Sequence, residues 1–222
     1  MGSSNEPARA TKRFGQSALA LLLALITGLL LYTAWVAISS AFANDDFPES
    51  LAVKVELLPL IFPVHMVTGG LALILLPLAI VLRRQSRWHR PVGRIAAVDV
   101  LVAGMTAFPV AWTAPVTFWS AMGFSAQAGT WLVLLVLGVH NIRCHRIAAH
   151  RACMILMTAT AMGAVFFRLY LGLFAMWGTP RWFDAFYVFD SWIAWLLPLS
   201  IAALILARQS DHDVLTHRAP AM

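Results

Sequence analysis

VLVAGMTAFPVAWTAPVTFWSAMGFSAQAGTWLVLLVLGVHN, Val100–Asn141, is a stretch in which no residue carries a formal charge. Roughly 20 apolar residues in a helix cross the ~30 Å hydrocarbon layer of a bilayer. This run is too long for one such helix and long enough for two. The segment Pro115–Gln127, with Trp119, Gly123 and Ser125, has the composition of a turn. The stretch therefore predicts one span at Ile95–Ala114 and another at Ala126–Ile142.

The same test applied outward gives four more spans. Phe14–Ala43 is also free of charge and holds a span at Ser17–Ala41. The others are expected at Leu57–Leu82, Ala152–Trp177 and Phe186–Ala207. The expected fold is all-α, an integral membrane bundle of six helices occupying residues 15–208. It lies between a tail at 1–14 and a tail at 209–222, with Met1–Lys12 and Ser210–Met222 read as short and mobile. Arg9, Lys12 and Arg13 followed by Ala41-Phe42-Ala43 imitate a cleaved signal peptide. A cleavable core has about 7–15 apolar residues; this one is longer, which predicts a retained anchor.

Composition agrees. Hydrophobic residues are 60% of the 222 and charged residues 12%, with mean hydropathy +0.77. Soluble domains have about 45–50% and about 25%, so polar surface is too scarce for a soluble enzyme. The net charge of +6 does not call for nucleic acid, because no soluble basic face is left to bind it. Of 16 Lys and Arg, 13 fall in the two tails and in the Arg83–Arg94 and Arg143–Arg151 loops. Lys54 and Arg181 fall on the other side and Arg168 inside a span. The positive-inside rule then puts both termini in the cytoplasm. Cys144 and Cys153 cannot form a disulfide framework and are expected as reduced thiols. The expected surroundings are the lipid bilayer, with subunits of a membrane complex or further copies of the chain as candidate partners.

Ionisable residues inside spans are costly and often functional. An outer layer holds His65, Arg168 and Asp190. Arg168 and Asp190 each lie 11 residues from Thr179, so they share a depth on neighbouring helices. Two readings stand. Asp190 neutralises Arg168 and pins the helices, or Arg168 meets a carboxylate, quinone oxygen or haem propionate beside His65. Gly69 and Gly70 leave the helix bare next to His65, which suits a close helix or a flat ligand. An inner layer holds His89, Arg90, Arg94, Asp99, His140, Cys144, His145, His150, Arg151 and Cys153. His140, His145 and His150 recur every five residues, about 140° apart on a helix, so they do not share one face. His89, His140 and His150 lie at the ends of different spans. Such histidines can hold a b-type haem as axial ligands, with His89 and His150 the foremost pair, or they simply face lipid headgroups. Phosphate loops, nucleophile elbows and paired zinc motifs are missing, so no reaction is named.

His65-x3-Gly69-Gly70-x-Ala72, His89-Arg90-Pro91-x-Gly93-Arg94, His150-Arg151-x2-Met154 and a mid-span Arg168 resemble the signature of a family of bacterial multi-spanning membrane proteins known only as a domain of unknown function. The resemblance covers about Val53 to Leu173. It implies that His65, His89, Arg94, His150 and Arg168 are marked positions in a bacterial cytoplasmic membrane protein, and it implies no activity. More loosely, the layout is similar to six-span b-type cytochromes, in which two layers of histidine pairs hold two haems. Here His65 has no histidine at its depth, which leaves a single inner haem b or an outer quinone-type pocket. The expectation is a haem- or quinone-binding, redox-linked membrane protein, with His65, His89, His140, His150, Arg94 and Arg168 as candidate binding residues. An accessory subunit with structural polar residues, or a small proton-coupled carrier, is the alternative.

Overall fold

Pro59 sits where the chain must stop one helix and start another, and the turn at Leu58–Leu60 separates them. In the computed structural model, residues 6–42 and 49–218 are described, with side chains for 16–42 and 53–209. The helices are α1 (Glu6–Ser40), α2 (Glu49–Leu57), α3 (Ile61–Val81), α4 (Ser86–Trp112), α5 (Phe118–Arg143), α6 (Ile147–Ala161), α7 (Gly163–Trp177) and α8 (Phe183–Arg218). Among the described residues there is no strand. Six segments are long and apolar enough to cross a membrane: Gln16–Ser40, Ile61–Arg84, Ser86–Trp112, Phe118–Arg143, Ile147–Trp177 and Pro180–Gln209. Helix extends into both expected tails, from Glu6 and to Arg218. Ala43 of the Ala41-Phe42-Ala43 triplet lies outside the described residues.

The turn expected at Pro115–Gln127 is shorter than that stretch. Thr117 Oγ1 accepts from the Ser120 N–H (3.1 Å) and Ser120 Oγ accepts from the Thr117 N–H (3.2 Å). This reciprocal capping box satisfies two otherwise free donors and starts α5 at Phe118. Just before it Ala114 adopts φ 42°, in the left-handed region that disfavours side chains.

Helices α3, α4, α5 and α6 form a ring in which each packs on the next and α6 closes on α3. Helix α1 lies outside against α3 and α7, while α8 packs on α5, α6 and α7. The core runs through Leu30, Ala72, Leu76, Val100, Leu135, Met157 and Val165. Small residues bring backbones together where lipid gives no hydrophobic drive. A Cβ on Gly70 would lie 3.0 Å from the Ala34 carbonyl, and one on Gly123 3.0 Å from the Ser191 carbonyl.

The fifth span is broken at Met162, between α6 and α7. Thr158 and Thr160 turn their hydroxyls back onto the Met154 and Leu156 carbonyls (2.8 and 2.9 Å), a habit that bends helices. From α5, Gln127 Nε2 donates to the Thr160 carbonyl (3.0 Å) and Trp131 Nε1 to the Met157 carbonyl (2.9 Å). Inserted side-chain bonds of this kind are a recognised cause of kinks. No proline is needed.

Candidate functional site

The break faces a cavity of about 1010 Å³ enclosed mainly by α3, α4, α5, α7 and α8, in the half of the bundle away from the chain termini. Such a volume suits a drug-sized or larger ligand. Its walls are apolar and much of them is alanine and glycine, including Gly69, Ala103, Ala107, Ala111, Ala128 and Ala164. A Cβ on Gly69 would meet nothing within 4 Å. The bare helix beside His65 is therefore open at Gly69, whereas Gly70 is closed off by Ala34 and Ile38 of α1.

One wall is aromatic. Phe124, Phe167 and Tyr187 meet edge to face, with centroids 5.2 Å apart for Phe124–Phe167 and 5.3 Å for Phe167–Tyr187. Phe183 adds a ring 5.6 Å from Tyr187. Edge-to-face pairs are the favoured aromatic geometry, so the rings pack on one another without polar bonds.

His65 and Arg168 both line this cavity. His65 Nδ1 lies 3.1 Å from the Ala103 carbonyl on α4, with Thr106 Oγ1 at 3.3 Å. A carbonyl only accepts, so Nδ1 carries the proton, and the Nε2 of the neutral ring is left as an acceptor. Arg168 Nη1 donates to the Ala164 carbonyl one turn back on α7 (2.9 Å). A guanidinium has five N–H donors, so most of this one remains available. The Tyr187 hydroxyl makes no hydrogen bond among the described residues. The cavity thus offers the Arg168 donors, the basic Nε2 of His65 and two further polar groups, Gln127 Oε1 and Tyr187 Oη, in apolar surroundings.

Lys54 of α2 also lines the cavity. Its Nζ donates to the Val110 carbonyl (2.9 Å) and to the Thr113 carbonyl, at the C-terminus of α4. A cation there satisfies carbonyls left free by the helix end and complements its dipole. Burial of the ammonium lowers its pKa from the ordinary lysine value.

The expected Arg168–Asp190 ion pair is not formed. Asp190 is fully buried and both its carboxylate oxygens lack a hydrogen-bond partner, while Arg168 turns back along its own helix. Equal distance from Thr179 did not bring the two side chains together, because the guanidinium is taken up by a carbonyl of its own helix. Asp99 is likewise buried, with Oδ2 unpartnered.

The inner candidates are not brought together with His65 and Arg168, and they do not line the cavity. His89 Nδ1 bonds the Ala79 carbonyl and His150 Nδ1 the Gly138 carbonyl, both at 2.9 Å. Each imidazole thereby ties the start of one helix to the end of the helix before it. They sit on α4 and α6, opposite members of the ring. His140 is exposed and contacts Cys144 Sγ (3.6 Å), and Arg94 is exposed. Among the described residues no three His, Cys, Asp or Glu side chains are grouped to hold a metal ion. Both cysteines are free. His89 and His150 thus belong to separate hairpins, α3–α4 and α5–α6, each with Nδ1 engaged by a carbonyl and Nε2 not.

Gln127, Trp131, Tyr187 and Lys54 were not singled out in the sequence. Gln127 and Trp131 stand one turn apart on α5, a spacing that signals a shared face but not a role.

Fold and cavity define the class: a multi-pass α-helical membrane protein with a ligand-sized cavity within its bundle. The chain belongs to the family described as Predicted membrane protein (DUF2306), which matches residues 62–206 and is of unknown function. No curated protein matches the chain, and no solved structure does.

Proposed function

We propose that this is a redox-linked membrane protein that binds a quinone-type ligand in the outer cavity. The observation that carries the reading is the convergence of His65 and Arg168 on one large apolar space. A quinone has a flat ring for the aromatic wall, carbonyl oxygens for the Arg168 N–H donors, and an apolar tail for the alanine-lined walls. In the reduced form a ring hydroxyl donates to His65 Nε2, and His65 is placed to exchange that proton. Asymmetry of basic residues supports cytoplasmic termini in a bacterial inner membrane, with the cavity toward the outer leaflet.

Binding is tested with the full-length protein in neutral detergent and a short-tailed quinone, read by quenching of tryptophan fluorescence. Trp131 lines the cavity and supplies the signal. A charge-assisted hydrogen bond contributes about 1.5–3 kcal/mol, so Arg168→Gln weakens binding by about tenfold or more. Unsaturable quenching, or an unchanged Kd in Arg168→Gln, contradicts the reading. A Soret band in the purified protein would shift the assignment to haem.

One observation favours a carrier as the second reading. A spanning helix broken beside a central cavity is a feature of transporter binding sites. Uptake by proteoliposomes that is abolished in Arg168→Gln would support it.

A further inference from the structure

The arginines of the α3–α4 connection form an ordered stripe. Arg83, Arg84, Arg87, Arg90 and Arg94 are all exposed. Among the described residues none makes a side-chain hydrogen bond or ion pair, and the Arg87 guanidinium lies over the ring of Trp88, 5.5 Å from its centroid. Trp88 is 54% exposed, as an aromatic at a bilayer interface is. At 100° per residue, Arg87, Arg90 and Arg94 fall on one face of α4. The same face continues, without rotating away, into Val98, Leu101 and Met105, which are 62%, 45% and 60% exposed. All six lie within a sector of about 80°. The acid on α4, Asp99, is buried and faces away from the middle of this stripe by about 140°. Arg94 to Met105 spans about 16 Å, half of a ~30 Å hydrocarbon core.

We infer that this face of α4 is a docking site for an anionic phospholipid, with its phosphate held by Arg87, Arg90 and Arg94 and its acyl chains lying along Val98, Leu101 and Met105. Guanidinium forks match phosphate oxygens in pairs and hold them better than ammonium groups do. The apolar half of the stripe is what selects a lipid over a free anion, because only a lipid carries phosphate and hydrocarbon in that order. The phosphate end of the site is at the opposite end of the bundle from the cavity, its acyl half lies on the outer face of α4, and it does not depend on what the cavity binds.

The test is native mass spectrometry of the full-length protein in neutral detergent. It is titrated with phosphatidylglycerol, with phosphatidylcholine of the same acyl chains, and with inorganic phosphate. Phosphatidylglycerol should bind saturably and more tightly than phosphatidylcholine. Each basic residue near a lipid surface contributes a factor of about five, so Arg90→Gln/Arg94→Gln weakens phosphatidylglycerol about 25-fold. Arg143→Gln/Arg146→Gln, at the same end but off the stripe, changes it by less than about twofold. Arg90→Lys/Arg94→Lys keeps the charge and gives an intermediate loss, which decides the matter should the glutamine pair fail to fold. Equal binding of the two lipids overturns the proposal. So does wild-type phosphatidylglycerol binding in both Arg90/Arg94 variants, an equal loss in the Arg143/Arg146 variant, or displacement of the lipid by equimolar phosphate.

Discussion

His65 on α3 is held by Ala103 on α4: the ring Nδ1 lies 3.1 Å from the Ala103 carbonyl oxygen. This contact fixes the tautomer, and with it the chemistry the ring offers to the cavity. His65→Leu removes both the bond and the free acceptor. A neutral hydrogen bond contributes about 1 kcal/mol, so the expected result is a modest loss of thermal stability and up to a tenfold loss in affinity for the reduced quinone. Binding of the reduced and oxidised forms, measured side by side, checks it. An equal change for both would mean that His65 acts only through packing.

The broken fifth span gives a second prediction. Gln127→Leu takes the side-chain donor away from the Thr160 carbonyl. The cost sits near the lower end of the range for an unsatisfied buried group, about 1 kcal/mol, because the Met162 N–H is also directed at that carbonyl. Thermal unfolding should fall by roughly 3 °C. No change would show that the break is held by the threonines alone.

Two glycines on α7 should respond oppositely. A Cβ on Gly163 would lie 2.6 Å from Trp195 Cβ and 3.1 Å from its Cα, so Gly163→Ala forces α7 and α8 apart. Overpacking of this kind costs about 1–3 kcal/mol. Gly172 has nothing within 4 Å of the same atom, and Gly172→Ala should stabilise by about 0.5–1 kcal/mol through helix propensity. Matched melting curves test the pair, and a similar effect at both positions would contradict the packing at Gly163.

Lys54 gives a pH dependence. Burial lowers its pKa, so the folded protein holds this proton less tightly than the unfolded chain does. Below the folded pKa both states carry the proton and the cost of burying the charge is present in full. As pH rises through the folded pKa toward the unfolded value of about 10.4, that cost is removed. Relative to Lys54→Met, the wild type should gain stability as pH rises toward the unfolded lysine value, as melting across the alkaline range would show. A difference that stays flat with pH would contradict the burial of the charged form.

Six spans were legible because exclusion of charge from hydrocarbon writes itself into the sequence over twenty or so residues at a time. His65 and Arg168 were legible for the same reason, as groups too costly to sit in a span without a use. Depth, however, is only one of two helical coordinates. Counting 11 residues either way from Thr179 placed Arg168 and Asp190 at one level, and the guanidinium folds back along α7 to the Ala164 carbonyl instead. For His89 and His150, depth was legible in the sequence, while their bonds to the Ala79 and Gly138 carbonyls were not. Gln127, Trp131 and Tyr187 escaped notice because neutral polar and aromatic residues are unremarkable in a span. Their roles come from neighbours 33 and 26 residues away in the case of Gln127 and Trp131. The break at Met162 carries no proline and has no marker of its own.

The central claim is that the outer cavity is the quinone site, and photo-crosslinking tests it most directly. Full-length protein is irradiated with a photoreactive quinone, with and without excess unlabelled quinone, and the modified residues are mapped by peptide mass spectrometry. Competed labelling is expected on the cavity walls, in the α3 segment around His65 and Met66 and in the α7 segment around Phe167 and Arg168, and reduced in Arg168→Gln. Competed labelling near His89 and His150 instead, or none that excess quinone suppresses, would contradict it.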